Sequence, residues 1–119
     1  MDTLTLAFDL DKDQRKTIKA VLDEGFASAA PVRAELKKTR AALGAAAIGT
    51  DAAALETATK AYAVQAAAMT AIEMRAFAEV LKPLSPEQKA KGTALAFVLM
   101  RTAFLDDKKW DDIPSVHSY

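Results

Sequence analysis

The chain has 119 residues, with sixteen basic and sixteen acidic side chains, one histidine, no cysteine and a pI near 6.6. That length suits one domain with a modest core, and the balanced charge leaves no basic stripe to neutralise phosphates, which argues against nucleic-acid binding. Without thiols there are no disulfides, thiol nucleophiles or thiolate metal sites, and the longest apolar run, residues 94–100, is too short to cross a bilayer.

Residues 1–9 are short and mixed in character and read as a loose lead-in. From Asp11, the apolar residues Ile18, Val21, Leu22 and Phe26 recur at three- and four-residue steps, as one face of a helix does. Pro31 lacks a backbone donor and crowds the turn before it, so a kink or a break is expected near residues 27–31. The pattern resumes through Val32, Leu36, Leu43 and Ala47, with Arg33, Lys37, Lys38 and Arg40 on other faces. It stops at Gly49, and Thr50 is the expected next N-cap.

In the following segment Leu55, Ala58, Tyr62, Gln65, Met69, Ile72, Ala76 and Val80 keep close to a heptad spacing. This predicts lengthwise packing on an antiparallel neighbour. Lys82-Pro83 ends the segment. The last helix is expected to start at Ser85, and Leu95, Phe97, Val98, Leu99, Met100, Phe104 and Leu105 take up most of its circumference. A helix apolar all round is buried on several sides, and the rest of one small monomer offers little cover. A second copy of the chain is therefore the expected shelter. Residues 106–119 read as a polar tail with Trp110 and Ile113 as docking points, which leaves a single all-helical domain over residues 1–119.

Two stretches nearly repeat one another. Leu10-Asp11-Lys12-Asp13-Gln14 and Leu84-Ser85-Pro86-Glu87-Gln88 each set a leucine before a capping residue and a glutamine three positions after it. The Asp11 or Ser85 side chain accepts from the N3 amide, while Gln14 or Gln88 reaches back to the cap. Pro86 at N1 gives up a donor that has no intrahelical acceptor. The paired motifs resemble the LTxxQ signature of the Spy/CpxP group of periplasmic stress proteins and of the related CnrX-type periplasmic metal sensors. The second copy matches closely; the first has Asp11 where the family has threonine. The run Ile72-Glu73-Met74-Arg75-Ala76 is similar to the sensor branch, and the likeness spans residues 10–92. The resemblance implies an all-α fold, a four-helix hooked hairpin paired antiparallel into a cradle-like homodimer.

Enzymatic chemistry finds few groups to use. The only histidine, His117, stands near the C-terminus, and Gly25, Gly44, Gly49 and Gly92 stand singly, so no loop resembles a phosphate cradle. The acidic pairs Asp23-Glu24 and Asp106-Asp107 read as solvated helix faces or ends. No enzymatic activity and no cofactor are expected. The metal sensors carry a histidine one turn before the methionine of their matching run, where this chain has Thr70. They carry further histidines ahead of the first motif, where this chain has Thr5-Leu6-Ala7-Phe8-Asp9. Imidazole gives such sites their affinity, so the inherited metal site is expected to be lost, with Met69 and Met74 as core fillers.

The chaperone branch of the resemblance implies a periplasmic, ATP-independent stress-response protein that binds unfolded or aggregating clients on a concave surface. Arg33, Lys37 and Arg40, with Leu95, Phe97, Leu99, Met100 and Phe104, are the candidate client or dimer surface; Asp11, Gln14, Ser85 and Gln88 cap helices. The family cradle is basic while this chain is neutral overall, so steering of acidic clients is expected to be weaker. Met1-Asp2-Thr3-Leu4 lacks the basic segment and apolar core of an export signal, so the periplasmic reading requires that signal to have been removed. The alternative implied by the resemblance is a periplasmic metal-resistance or envelope-stress sensor or regulator that docks on a membrane signalling partner. A plain cytosolic helical interaction module is the third reading.

Overall fold

The computed structural model describes residues 2–105, and of Asp2, Leu95, Leu99, Met100, Arg101 and Thr102 the backbone only. The expected tail, with Trp110, Ile113 and His117, lies outside the described residues. Among the described residues the chain forms five helices and no strand: α1 (Asp2–Phe8), α2 (Lys12–Ser28), α3 (Ala30–Ile48), α4 (Ala52–Leu81) and α5 (Pro86–Ala103). They build an elongated body of 55 × 29 × 23 Å. No helix among the described residues is long and apolar enough to cross a membrane.

α1 corrects the reading of residues 1–9 as a loose lead-in. Leu4 and Phe8 stand four apart, both are buried, and the helix packs on α5. Its end is a Schellman turn: Leu10 N donates to Thr5 O at 3.1 Å, and Asp9 takes the left-handed conformation at φ 57°. Two apolar anchors in seven residues are too few for a period to declare itself in the sequence.

α2 and α3 resolve what Pro31 does. The helices are separated by Ala29 alone, at φ −79° and ψ −11°. The bonds from Ala29 N to Gly25 O (2.9 Å) and from Arg33 N to Ala29 O (2.8 Å) still run through the junction. Pro31 has no N–H to offer the Ala27 carbonyl, so the ladder is interrupted between these two bonds, and α2 and α3 are separate helices. Ala29 is fully buried, which puts the elbow against the core.

α4 is capped by Asp51, not by Thr50. The Asp51 carboxylate accepts from Ala53 N at 3.0 Å and Ala54 N at 3.3 Å. The turn from α3 reverses the chain, so Arg40 of α3 lies over the Tyr62 ring at 5.3 Å and α2 reaches the later part of α4. The predicted seam divides into two halves. Met69, Ala76 and Val80 are buried, together with Glu73, which lies deeper than the expected Ile72. Toward the other end Leu55 of the seam remains exposed, as do Val64, off the seam, and Ile48 at the end of α3, at 89%. The fully buried Phe8, Ile18, Leu22, Met69, Val80 and Phe104 each contribute roughly 1.5–3 kcal/mol from removal of apolar surface from water.

α5 is partly covered by its own chain, through α1. Gly92 faces α1 so closely that an added Cβ would lie 2.6 Å from Ala7 O, and Ala96, Ala103 and Phe104 are buried. α1 supplies cover for α5 that residues 1–9, read as a loose lead-in, could not. Among the described side chains, Phe97 and Val98 of α5 and Leu105 just beyond its end stay open, at 46%, 51% and 46% exposure.

Candidate functional site

The two sequence motifs meet. Both capping boxes form: Gln14 N donates to Asp11 Oδ1 (2.8 Å) and Asp11 N to Gln14 Oε1 (3.1 Å), while Gln88 N donates to Ser85 Oγ (3.2 Å) and Ser85 N to Gln88 Oε1 (2.9 Å). Beyond its own box, each glutamine reaches the other. Gln14 Nε2 donates to Gln88 Oε1 and Gln88 Nε2 to Gln14 Oε1, both at 2.8 Å. The second hydrogens go to backbone: Gln14 Nε2 to Pro83 O and Gln88 Nε2 to Asp9 O, each at 3.0 Å. Each amide thereby uses both its N–H groups and both lone pairs.

This network has an internal twofold pattern. A shift of 74 positions takes Asp9, Leu10, Asp11 and Gln14 to Pro83, Leu84, Ser85 and Gln88, and the hydrogen bonds map onto one another. Leu10 and Leu84 are both buried beneath the caps. The helix pairings obey the same exchange, since α1 packs on α5 and α2 on α4. Sequence reasoning found the two boxes but not their contact, because a capping box is a local device and says nothing of what its outer lone pairs and protons meet.

A second junction closes the other end of α5. The Phe104 ring lies against Gly25, where an added Cβ would be 2.6 Å from Phe104 Cζ. Arg33 Nη1 donates to Phe104 O at 2.9 Å, and its guanidinium lies 4.1 Å from the centroid of the Phe26 ring. Phe104 is fully buried and Arg33 nearly so. Neither can belong to an open client or dimer surface, so both expectations are corrected. A basic residue between apolar neighbours reads in sequence as solvated; only the packing shows that Arg33 turns inward to satisfy the end of α5.

The remaining surface candidates are distributed as follows. Lys37 and Arg40 are exposed on α3, and Phe97 is half-exposed on α5, set edge-on to Phe77 with ring centroids 5.8 Å apart. Leu95, Leu99 and Met100 belong to α5, but their side chains lie outside the described residues. Sequence reasoning missed an open groove of about 350 Å³ between α2 and α4, whose lining includes Val21, Ile72 and Ala76 with Glu24, Arg75 and Glu79.

The metal-sensor comparison has a structural counterpart on α4. Thr70, standing where the sensors place histidine, is exposed and donates its hydroxyl to Ala66 O at 3.1 Å. Met69 is buried and Met74 half-buried. Among the described residues no group of three or more His, Cys, Asp or Glu side chains is placed to hold a metal ion. No protein-family model matches the chain, and no curated protein and no solved structure matches it either.

Proposed function

We propose that this chain is a Spy/CpxP-like, periplasmic, ATP-independent chaperone that works as a homodimer and holds unfolded proteins on its surface. The observation that carries the proposal is the set of large apolar side chains left in solvent along an elongated helical body: Ile48, Val64, Phe97, Val98 and Leu105. Such a surface suits weak binding of many apolar segments, because it offers apolar contact at several separate places. Lys37, Lys38 and Arg40 on α3 are exposed and add basic charge to the surface. The reciprocal bonding of Gln14 and Gln88 supports the family part of the reading, since it gives the two LTxxQ-like copies one shared structural task.

The test is light scattering from an aggregating unfolded client, in the absence of nucleotide, with the protein added at one dimer per client. Suppression of aggregation is expected. Unchanged scattering at that ratio removes the chaperone reading. Sedimentation over a dilution series reads the homodimer separately; a monomer at every concentration removes that part alone.

A further inference from the structure

α1 has seven residues, a length at which a helix is not stable by itself in water. What keeps it helical is its seat on α5. That seat is shaped to receive a helix backbone: at Gly92 an added Cβ would lie 2.6 Å from Ala7 O and 2.7 Å from Phe8 Cδ1. The anchors filling it are Leu4 and Phe8, four residues apart, while Leu6 on the outer side is 70% exposed. Two further contacts fall on Asp9, just past the end of α1. Gln88 Nε2 donates to Asp9 O at 3.0 Å, and the Lys91–Asp9 pair, 3.7 Å apart, is exposed to water, where such a pair is worth little.

We infer that the face of α5 filled by α1 is a helix-binding groove, and that α1 occupies it as a resident competitor for segments of unfolded proteins. The segment that fits carries large apolar residues at positions i and i+4, as Leu4 and Phe8 do, and becomes helical on docking. The inference rests on the chaperone reading and deepens it by naming the chemistry of the client. Because α1 is tethered by one short turn, its effective concentration at the groove is on the order of millimolar or above. Weak clients therefore engage only as α1 yields.

The experiment uses the full chain and a fluorescently labelled synthetic peptide with the sequence of residues 1–10, read by anisotropy. Phe8→Ala weakens the resident helix, so its affinity for the peptide is expected to be at least tenfold above that of the unmodified chain. Adding Gly92→Val to Phe8→Ala closes the groove and is expected to remove that gain. A peptide of the same composition, rearranged so that no two of its leucine and phenylalanine residues stand four apart, is expected to bind at least tenfold more weakly. A gain below threefold for Phe8→Ala, or equal binding of the rearranged peptide, overturns the inference. If circular dichroism shows Phe8→Ala unfolded, Leu4→Ala takes its place under the same thresholds. Peptide binding without suppression of aggregation keeps the groove and removes the chaperone reading; suppression with a failed peptide test does the reverse.

Discussion

Gln14 and Gln88 each donate an amide hydrogen to the other's carbonyl oxygen, at 2.8 Å in both directions, and so tie together the first turns of α2 and α5. The pair is partly buried, and each side chain also serves its own N-cap and a distant backbone carbonyl. Removing one member leaves several of these groups without their partner.

Gln14→Ala and Gln88→Ala are each expected to cost about 1–3 kcal/mol of stability, because the loss strands donors and acceptors that folding has withdrawn from water. The double substitution should cost less than the sum, with a coupling of about 0.5–3 kcal/mol. Gln14→Glu should be no milder than Gln14→Ala: an ionised carboxylate cannot donate to Pro83 O or to Gln88 Oε1. Urea denaturation midpoints check all four variants. Additive losses would show that the two motifs do not act as one unit.

Three glycines lie within helices in different surroundings, and alanine should sort them. At Gly44 an added Cβ meets nothing within 4 Å, so Gly44→Ala should stabilise by about 0.5–1 kcal/mol through helix propensity. At Gly92 the Cβ meets the backbone of α1, and Gly92→Ala should destabilise by about 1–3 kcal/mol despite the same propensity gain. Gly25→Ala meets the end of the Phe104 ring and should fall between them. Thermal melting gives the order.

Arg33 binds the carbonyl at the end of α5 from inside the elbow between α2 and α3. Arg33→Met keeps much of the apolar stem but leaves Phe104 O unsatisfied, and should cost about 1.5–3 kcal/mol. Arg33→Lys should recover only part of this, since a point charge does not reproduce a planar group stacked on Phe26. A melting temperature unchanged in Arg33→Met would show that this contact does not hold α5.

Phe97 on α5 and Phe104 just past its end are in opposite situations, the first 46% exposed and the second fully buried. Phe104→Ala should lose about 3–5 kcal/mol, as a large-to-small change in a packed core does. Phe97→Ser should cost less, about 0.5–1.5 kcal/mol from its edge-on contact with Phe77, while weakening self-association or suppression of aggregation. Melting curves and light scattering on the same samples separate the two effects.

Much of the helical course was legible in the residues alone, because it follows from local chemistry. Both capping boxes, the interruption around Pro31 and the end of α4 near Lys82-Pro83 follow from dihedral preferences and missing or extra donors within a few positions. The cap of α4 falls one residue after the expected Thr50, since Thr50 and Asp51 both carry suitable oxygens and only the backbone shows which one faces the open amides.

Relations between distant residues belong to the tertiary structure. Short-range patterns name the glutamines, but the hydrogen bond between Gln14 and Gln88 exists only once α1–α2 and α4–α5 are packed around it. Arg33 turns inward because a carbonyl at the end of α5 needs a donor, and α1 becomes a helix because Gly92 and its neighbours offer a seat. Local sequence determines where a helix can begin and which face is apolar, since those depend on neighbours three or four residues away. Which face is covered, and by what, depends on surfaces that meet only in the folded chain.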